Sequence, residues 1–437
     1  MQEERLTTSE LRDAWAVLSP DERMDGFRQI DPEEADDFFS NLTEREQAQM
    51  LLNMQPRERR LWFRQLPPDD AADVVQQIPK EDRGPFLELL DDASRREVTA
   101  LLAYAEDAAG GLMSPRFARL RPEMTVDEAI RYLRRQASER LETIYYAYVL
   151  DQEQRLCGVV SFRDLFASPA NTLLADVMHT SVISVQDTLD QESVARIMAE
   201  HDLNAIPVVD EQGRMKGIVT IDDVVDVVQR EATEDIQKLG GMEALETPYM
   251  QTSLAALVRK RAGWLAVLFL GELLTASAMS RYEDEISKAV VLALFVPLII
   301  SSGGNSGSQA TTLIIRAMAL GEITLRDWWR IVRRELAAGA VLGIILSVLG
   351  FARVVAWQAM FGTYGAHYIA VAATVGVSLV GVVTWGTVTG SMLPFVIRRF
   401  GFDPASASAP FVATLVDVFG LVIYFNVGRF LLSGGLL

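Results

Sequence analysis

The sequence predicts a multidomain membrane protein in three parts: an all-α N-terminal solenoid, an α/β pair of repeated modules, and a transmembrane domain of five α-helices. Three observations carry this. Apolar residues recur every twelve positions through residues 1–110. A segment in 111–235 then repeats itself at an offset of 59. Beyond residue 260 the chain is a series of apolar runs long enough to cross a bilayer.

The solenoid comes first. Leu18, Ile30, Leu42, Met54, Leu66, Ile78 and Leu90 keep the constant spacing. Each is followed by a helix start, such as Ser19-Pro20, Asp31-Pro32, Thr43-Glu44 or Pro67-Pro68. Proline suits the first helical position because its missing N–H would be unpaired there. Acids follow at once, where the helix dipole favours negative charge. A short fixed period means small helices, each burying its face on the next. Most of these acids read as caps on a solvated face. Asp69, Asp70 and Asp73 cluster more tightly than capping requires and are candidate cation ligands.

The repeat comes next. Val149-Leu-Asp-Gln-Glu-Gln-Arg-Leu-Cys-Gly158-Val-Val-Ser161-Phe-Arg-Asp164 matches Val208-Val-Asp-Glu-Gln-Gly-Arg-Met-Lys-Gly217-Ile-Val-Thr220-Ile-Asp-Asp223. Asp-Glu-Gln-Gly between two apolar runs is a hairpin signal. Each unit reads as helix, strand, turn, strand, helix, and the pattern resembles a tandem pair of CBS domains. The resemblance implies an adenine nucleotide, ATP among them, as ligand. Its ribose or phosphate edge would meet Ser161 with Asp164, and Thr220 with Asp223. The same acids could serve only to cap the helices that follow.

Gly240-Gly241 then breaks the chain, and residues 236–260 are expected to form a connecting helix along the inner membrane face, with Glu243 and Glu246 near the paired modules. The domain of residues 261–437 follows, with spans expected near 262–280, 288–318, 334–358, 367–397 and 408–432. Arg259, Lys260 and Arg261 precede the first span; Arg326, Arg330, Arg333 and Arg334 lie between the second and third, and Arg398 and Arg399 between the fourth and fifth. The positive-inside rule puts the N-terminus in the cytosol and the C-terminus outside.

Charge agrees. The net −18 combines +2 over residues 262–437 with −20 over residues 1–261, where fifty acids face thirty bases. Such an excess repels nucleic acid and attracts cations. One cysteine, Cys157, gives no intrachain disulfide and fits a reducing compartment. The opening Met-Gln-Glu-Glu-Arg shows no basic-then-apolar leader, so the acidic half is expected in the cytosol and the spans in the inner (plasma) membrane.

Two features of the membrane half call for chemistry. Asp417 stands near the middle of the last apolar run, where a bare carboxylate costs at least ~2.5 kcal/mol and is by default functional. The second run contains Gly303-Gly-Asn-Ser-Gly307-Ser-Gln309. Irregular glycine-rich backbone at membrane depth is tolerated where it lines a water cavity, so Gly303, Gly304, Asn305, Gly307 and Gln309 are candidate pore-lining residues. Close helix packing through small residues is the other reading. Oxygen ligands with one carboxylate and no paired soft ligand exclude zinc and copper and suit Mg²⁺, which is held through its waters. One acid per chain is thin for a divalent ion, and a two-fold homodimer would bring two copies of Asp417 to one axis. A second intramembrane acid, Glu272, faces either the pore or the bundle.

The whole chain resembles the MgtE family of magnesium transporters. Ala109-Gly-Gly-Leu-Met113, Glu142-Thr-Ile-Tyr-Tyr, Glu231-Ala-Thr-Glu-Asp, Gly303-Gly-Asn-Ser-Gly and Ala413-Thr-Leu-Val-Asp417 carry the likeness. It departs at Gly307-Ser308-Gln309, at Ala409-Pro410 and at Gln251-Thr252. The resemblance implies a homodimeric Mg²⁺-selective channel or transporter for magnesium uptake rather than an enzyme. Asp417 would be the pore acid, with the Ala413 carbonyl nearby. Intracellular Mg²⁺ on the cytosolic domains would close it, and Asp69, Asp70, Asp73, Asp222, Asp223, Glu243 and Glu246 are the candidate ligands. A membrane metalloprotease would need an H-E-x-x-H pair, and His179, His201 and His367 do not supply one. A nucleotide-sensing signalling protein anchored in the membrane would leave Asp417 without a role. A coupled divalent-cation carrier remains the alternative to a channel.

Overall fold

The computed structural model describes residues 7–432 other than 16, 137–140, 144, 246, 284–285 and 287–289. It divides into two compact units, Met1–Glu231 and Ala232–Leu437.

The first unit opens with α1 (Thr8–Ala14), α2 (Pro20–Phe27), α3 (Pro32–Ser40), α4 (Glu44–Asn53), α5 (Pro56–Gln65), α6 (Pro68–Gln77), α7 (Lys80–Leu87) and α8 (Asp92–Leu101). Every first residue lies twelve beyond the one before, so the sequence period is the helix period. Ser19 and Thr43 form capping boxes with Glu22 and Glu46, and Asp31 and Asp91 cap α3 and α8. The periodic Ile30, Met54, Leu66, Ile78 and Leu90 are buried at the corners between helices, in one core with Phe38, Phe63 and Phe86.

The repeat follows α9 (Ala109–Leu112). Its first copy is β1 (Arg119–Leu120), α10 (Val126–Gln136), β2 (Tyr146–Leu150), β3 (Leu156–Ser161), α11 (Phe162–Ala167) and α12 (Leu174–Val177). The second is β4 (Val185–Gln186), α13 (Gln191–Glu200), β5 (Ala205–Val209), β6 (Met215–Thr220) and α14 (Ile221–Leu239). In each copy the first strand pairs parallel with the second, and the second antiparallel with the third. The starts of β2 and β5, and of β3 and β6, keep the offset of 59. Phe117, Tyr148, Leu150, Met215 and Ile218 form a cluster joining the copies. At equivalent points of the two hairpins, Gln154 and Gly213 both take the left-handed region, at φ 64° and 76°.

In the second unit, five helical segments among the described residues are long and apolar enough to cross a membrane. The first span is Leu254–Arg281; the second is a short turn, Val290–Ala293, followed by Val296–Ala319; the third is Trp328–Phe361, the fourth Tyr368–Arg399 and the fifth Ala409–Leu432. The first span buries no residue and packs on the fifth, while the second, fourth and fifth interlock.

Two expectations are corrected here. Residues 242–260 do not form a helix along the membrane. α14 continues through Leu239, Gly241 ends it at φ 71°, and the described residues from 242 to 253 hold no helix. Pro248 disfavours one locally, and residues 254–260 are instead the opening turns of the first span, whose N-cap is Ser253. The glycine-rich stretch is also regular: Gly303 to Gln309 lie inside a continuous helix. A Cβ on Gly386 would come within 2.3 Å of the Gly303 carbonyl oxygen, and one on Gly390 within 2.1 Å of that of Gly307. Two pairs spaced by four thus let the second and fourth spans touch backbone to backbone. Ser306 and Thr387 share a hydrogen bond at 2.6 Å across this seam, and the Thr311 hydroxyl donates to the Gly390 carbonyl at 2.8 Å. Close packing accounts for Gly303 and Gly307, because a partner helix supplies matching glycines.

Candidate functional site

The membrane site is built on the fifth span. Val412, Val416, Leu421 and Tyr424 on that helix are buried in the bundle core, while Ala413 and Asp417, one turn apart, are only half-buried. Gly304 faces the same helix, its Cβ position 3.5 Å from that of Ala413. Asn305 and Gln309 share an exposed face of the second span. Their carbonyls stay in the helix, so only their side chains are free to meet an ion. The Ser308 hydroxyl points to the Ala409 carbonyl at 3.4 Å, so two positions where this chain departs from the resembled pattern meet each other.

Glu272 resolves into a specific place. Its carboxyl group lies beside that of Asp417. Gly271 makes the approach possible: a Cβ there would lie 2.4 Å from Thr414 Cγ2. Trp264 and Phe411, on the same two helices, have ring centroids 6.3 Å apart.

The second candidate region is an acid cluster in the first unit. Asp69, Asp70 and Asp73 lie on α6, and Asp222 and Asp223 open α14. Asp69 is only 6% exposed, and its Oδ1 has no hydrogen-bond partner. Burial, then Glu142, Asp70 and Asp223, hold Asp69 well above the usual carboxylate range. Burial and Glu142 raise Asp70 to about 6. Burial and Glu44 raise Asp73 to about 8, although Arg230 opposes this. Burial lifts Asp223 to about 7 against the hydrogen bond from Thr220. Among the described residues, no three His, Cys, Asp or Glu side chains converge tightly enough to grip a bare metal ion. Sequence reasoning missed Glu142 as a member. It lies in a loop with no period, and only its place between repeat elements could have flagged it. Glu243 is in the second unit, exposed and 3.9 Å from Lys260; Glu246 lies outside the described residues.

The nucleotide candidates occupy matching caps with opposite electrostatics. Ser161 Oγ donates to Asp164 Oδ2 at 2.6 Å within a capping box. With His179 Nε2 at 3.3 Å, Asp164 is held below the usual range, chiefly by Ser161. Thr220 Oγ1 donates to Asp223 Oδ2 at 2.8 Å. Both hydroxyls are therefore engaged by their own acids.

A carboxylate at mid-span, a bundle packed through glycines, and acid-crowded helical and paired α/β modules together define a membrane cation transporter with a soluble regulatory half. Residues 296–427 match the MgtE divalent cation transporter family, residues 6–107 the MgtE intracellular N domain, and residues 109–171 and 174–230 the CBS domain. The magnesium transporter MgtE of Thermus thermophilus is 45% identical over 79% of this chain and 75% of its own length. That of Enterococcus faecalis is 36% identical over 76% and 70%. The cytosolic domain of the Mg²⁺ channel MgtE in complex with ATP is 42% identical, with a TM-score of 0.47, covering 51% of this chain and 91% of that one. The chain belongs to the MgtE family.

Proposed function

We propose that this protein is a Mg²⁺-selective channel or transporter for magnesium uptake, working as a homodimer in the inner (plasma) membrane with its N-terminus in the cytosol. The observation that carries the reading is Asp417, a half-buried carboxylate midway along a span within the stretch that matches the transporter family. Its charge is tolerable at that depth if a hydrated cation shares the site, and a two-fold axis would present two copies to one ion. The activity for which these relatives are named, magnesium transport, agrees.

Regulation is assigned to the acid cluster. Asp69, Asp70, Asp73, Asp222 and Asp223, with Glu142, repel one another; Mg²⁺ bound among them relieves that repulsion and favours the compact arrangement that closes the path. Such a shift needs only that the ion bind one state better than the other. ATP is assigned to the CBS pair, at Ser161 with Asp164 and Thr220 with Asp223, as a modulator.

The test is Mg²⁺ uptake into liposomes carrying the purified protein. Asp417→Ala abolishes uptake while the protein stays folded and dimeric. Uptake at the wild-type rate would refute the assignment.

A further inference from the structure

The first span is the least anchored of the five. It buries no residue and packs mainly on the fifth, yet it carries a carboxylate, a costly group at that depth. A glycine sits immediately before that carboxylate, at a position where a side chain would collide with Thr414. The close approach this permits brings the Glu272 carboxyl group beside that of Asp417. One turn further on, Thr275 has a buried hydroxyl with no hydrogen-bond partner. A residue serving only to hold the helix could be any uncharged hydrogen-bonding side chain, at far lower cost in a bilayer. An acid here supplies charge.

We infer that Glu272 is a specificity-determining residue of the ion path: it adds a second carboxylate beside Asp417, so that each protomer offers an ion two negative charges. This rests on the reading of Asp417 as the ion's carboxylate. A divalent cation gains twice what a monovalent one gains from each added charge, since Coulomb energy scales with the product of the charges. The pair therefore favours Mg²⁺ over Na⁺ or K⁺ more than Asp417 alone does. It also removes the difficulty of one acid per chain. A dimer would hold four carboxyl groups near its axis side instead of two.

The experiment compares wild type, Glu272→Gln, Glu272→Asp and Asp417→Asn, each full-length and reconstituted in liposomes. It measures the Mg²⁺ concentration for half-maximal uptake and the ratio of Mg²⁺ to Na⁺ flux. Glutamine has nearly the same shape, can donate to Asp417, and removes only the charge. Glu272→Gln raises the half-maximal Mg²⁺ concentration about tenfold, equivalent to ~1.4 kcal/mol, and lowers the Mg²⁺ to Na⁺ ratio by a similar factor. Glu272→Asp restores most of both. Wild-type values in Glu272→Gln, with Asp417→Asn impaired, would overturn the role of Glu272 and leave Asp417 standing. Wild-type values in both would overturn the ion path itself. Should Glu272→Gln fail to assemble, Glu272→Ala decides: a raised half-maximal Mg²⁺ concentration with a lowered flux ratio supports the charge at this position, and wild-type values overturn it.

Discussion

The soluble acid cluster and the intramembrane acid pair use the same chemical group under different solvents. Around Asp69 several acids share the strain, and Arg230 lies close enough to oppose the rise at Asp73. Beside Asp417, among the described residues, stands another acid, Glu272. Crowded acids in a soluble domain can hold protons until a cation arrives, and so report on cation concentration. An acid pair in a span has few alternatives to a cation and so suits conduction. Sensing and passage are therefore assigned to different halves of the molecule, and each half can be broken alone.

The largest expected effect comes from removing the sensor. Deleting residues 1–235 leaves Mg²⁺ flux but abolishes its closure by high internal Mg²⁺, measured as uptake against a series of internal concentrations. Closure at the same concentration would move sensing into the membrane domain.

Next is the pH dependence of stability. Asp70, Asp73 and Asp223 stand at about 6, 8 and 7 in the folded chain, against roughly 3.9 when unfolded. Between those limits the folded state binds more protons, so stability is full below about pH 4 and is lost as pH rises towards 8. In EDTA, the unfolding temperature of the soluble half within the full chain falls by roughly 5–10 °C from pH 5 to pH 8. Mg²⁺ at pH 8 restores it, and NaCl of equal ionic strength does so less, because screening does not bridge.

The two hydroxyl–acid caps sharpen the contrast within one domain. Asp223→Asn relieves repulsion, raises the unfolding temperature in EDTA by about 2–4 °C and shrinks the response to Mg²⁺. Asp164→Asn weakens a capping box and lowers it by a comparable amount, about 1 kcal/mol, leaving the Mg²⁺ response intact. Thermal melts of both with and without Mg²⁺ decide. The smallest effect is local: Gln154→Gly, at a left-handed position where the second hairpin already has Gly213, stabilises the chain by about 1 kcal/mol in a denaturant titration.

Much of this was legible in the sequence, for identifiable reasons. The twelve-residue spacing reproduces every helix start from Pro20 to Asp92 because capping and burial are both local. The offset of 59 holds at the strands because the hairpins have equal length. Gly303 and Gly307 misled because a glycine's role depends on what packs against it, and Gly386 and Gly390 lie some eighty positions away. A still longer separation hid the approach of Glu272 to Asp417. The segment 242–260 misled because amphipathic composition does not reveal that Gly241 and Pro248 interrupt it.

The most direct test of the central claim is electrical. Purified protein in a planar bilayer, with Mg²⁺ unequal on the two sides and Na⁺ equal, should pass a current that reverses at the Mg²⁺ equilibrium potential and vanishes in Asp417→Ala. A current that reverses elsewhere, or that persists at the wild-type level in Asp417→Ala, would contradict it.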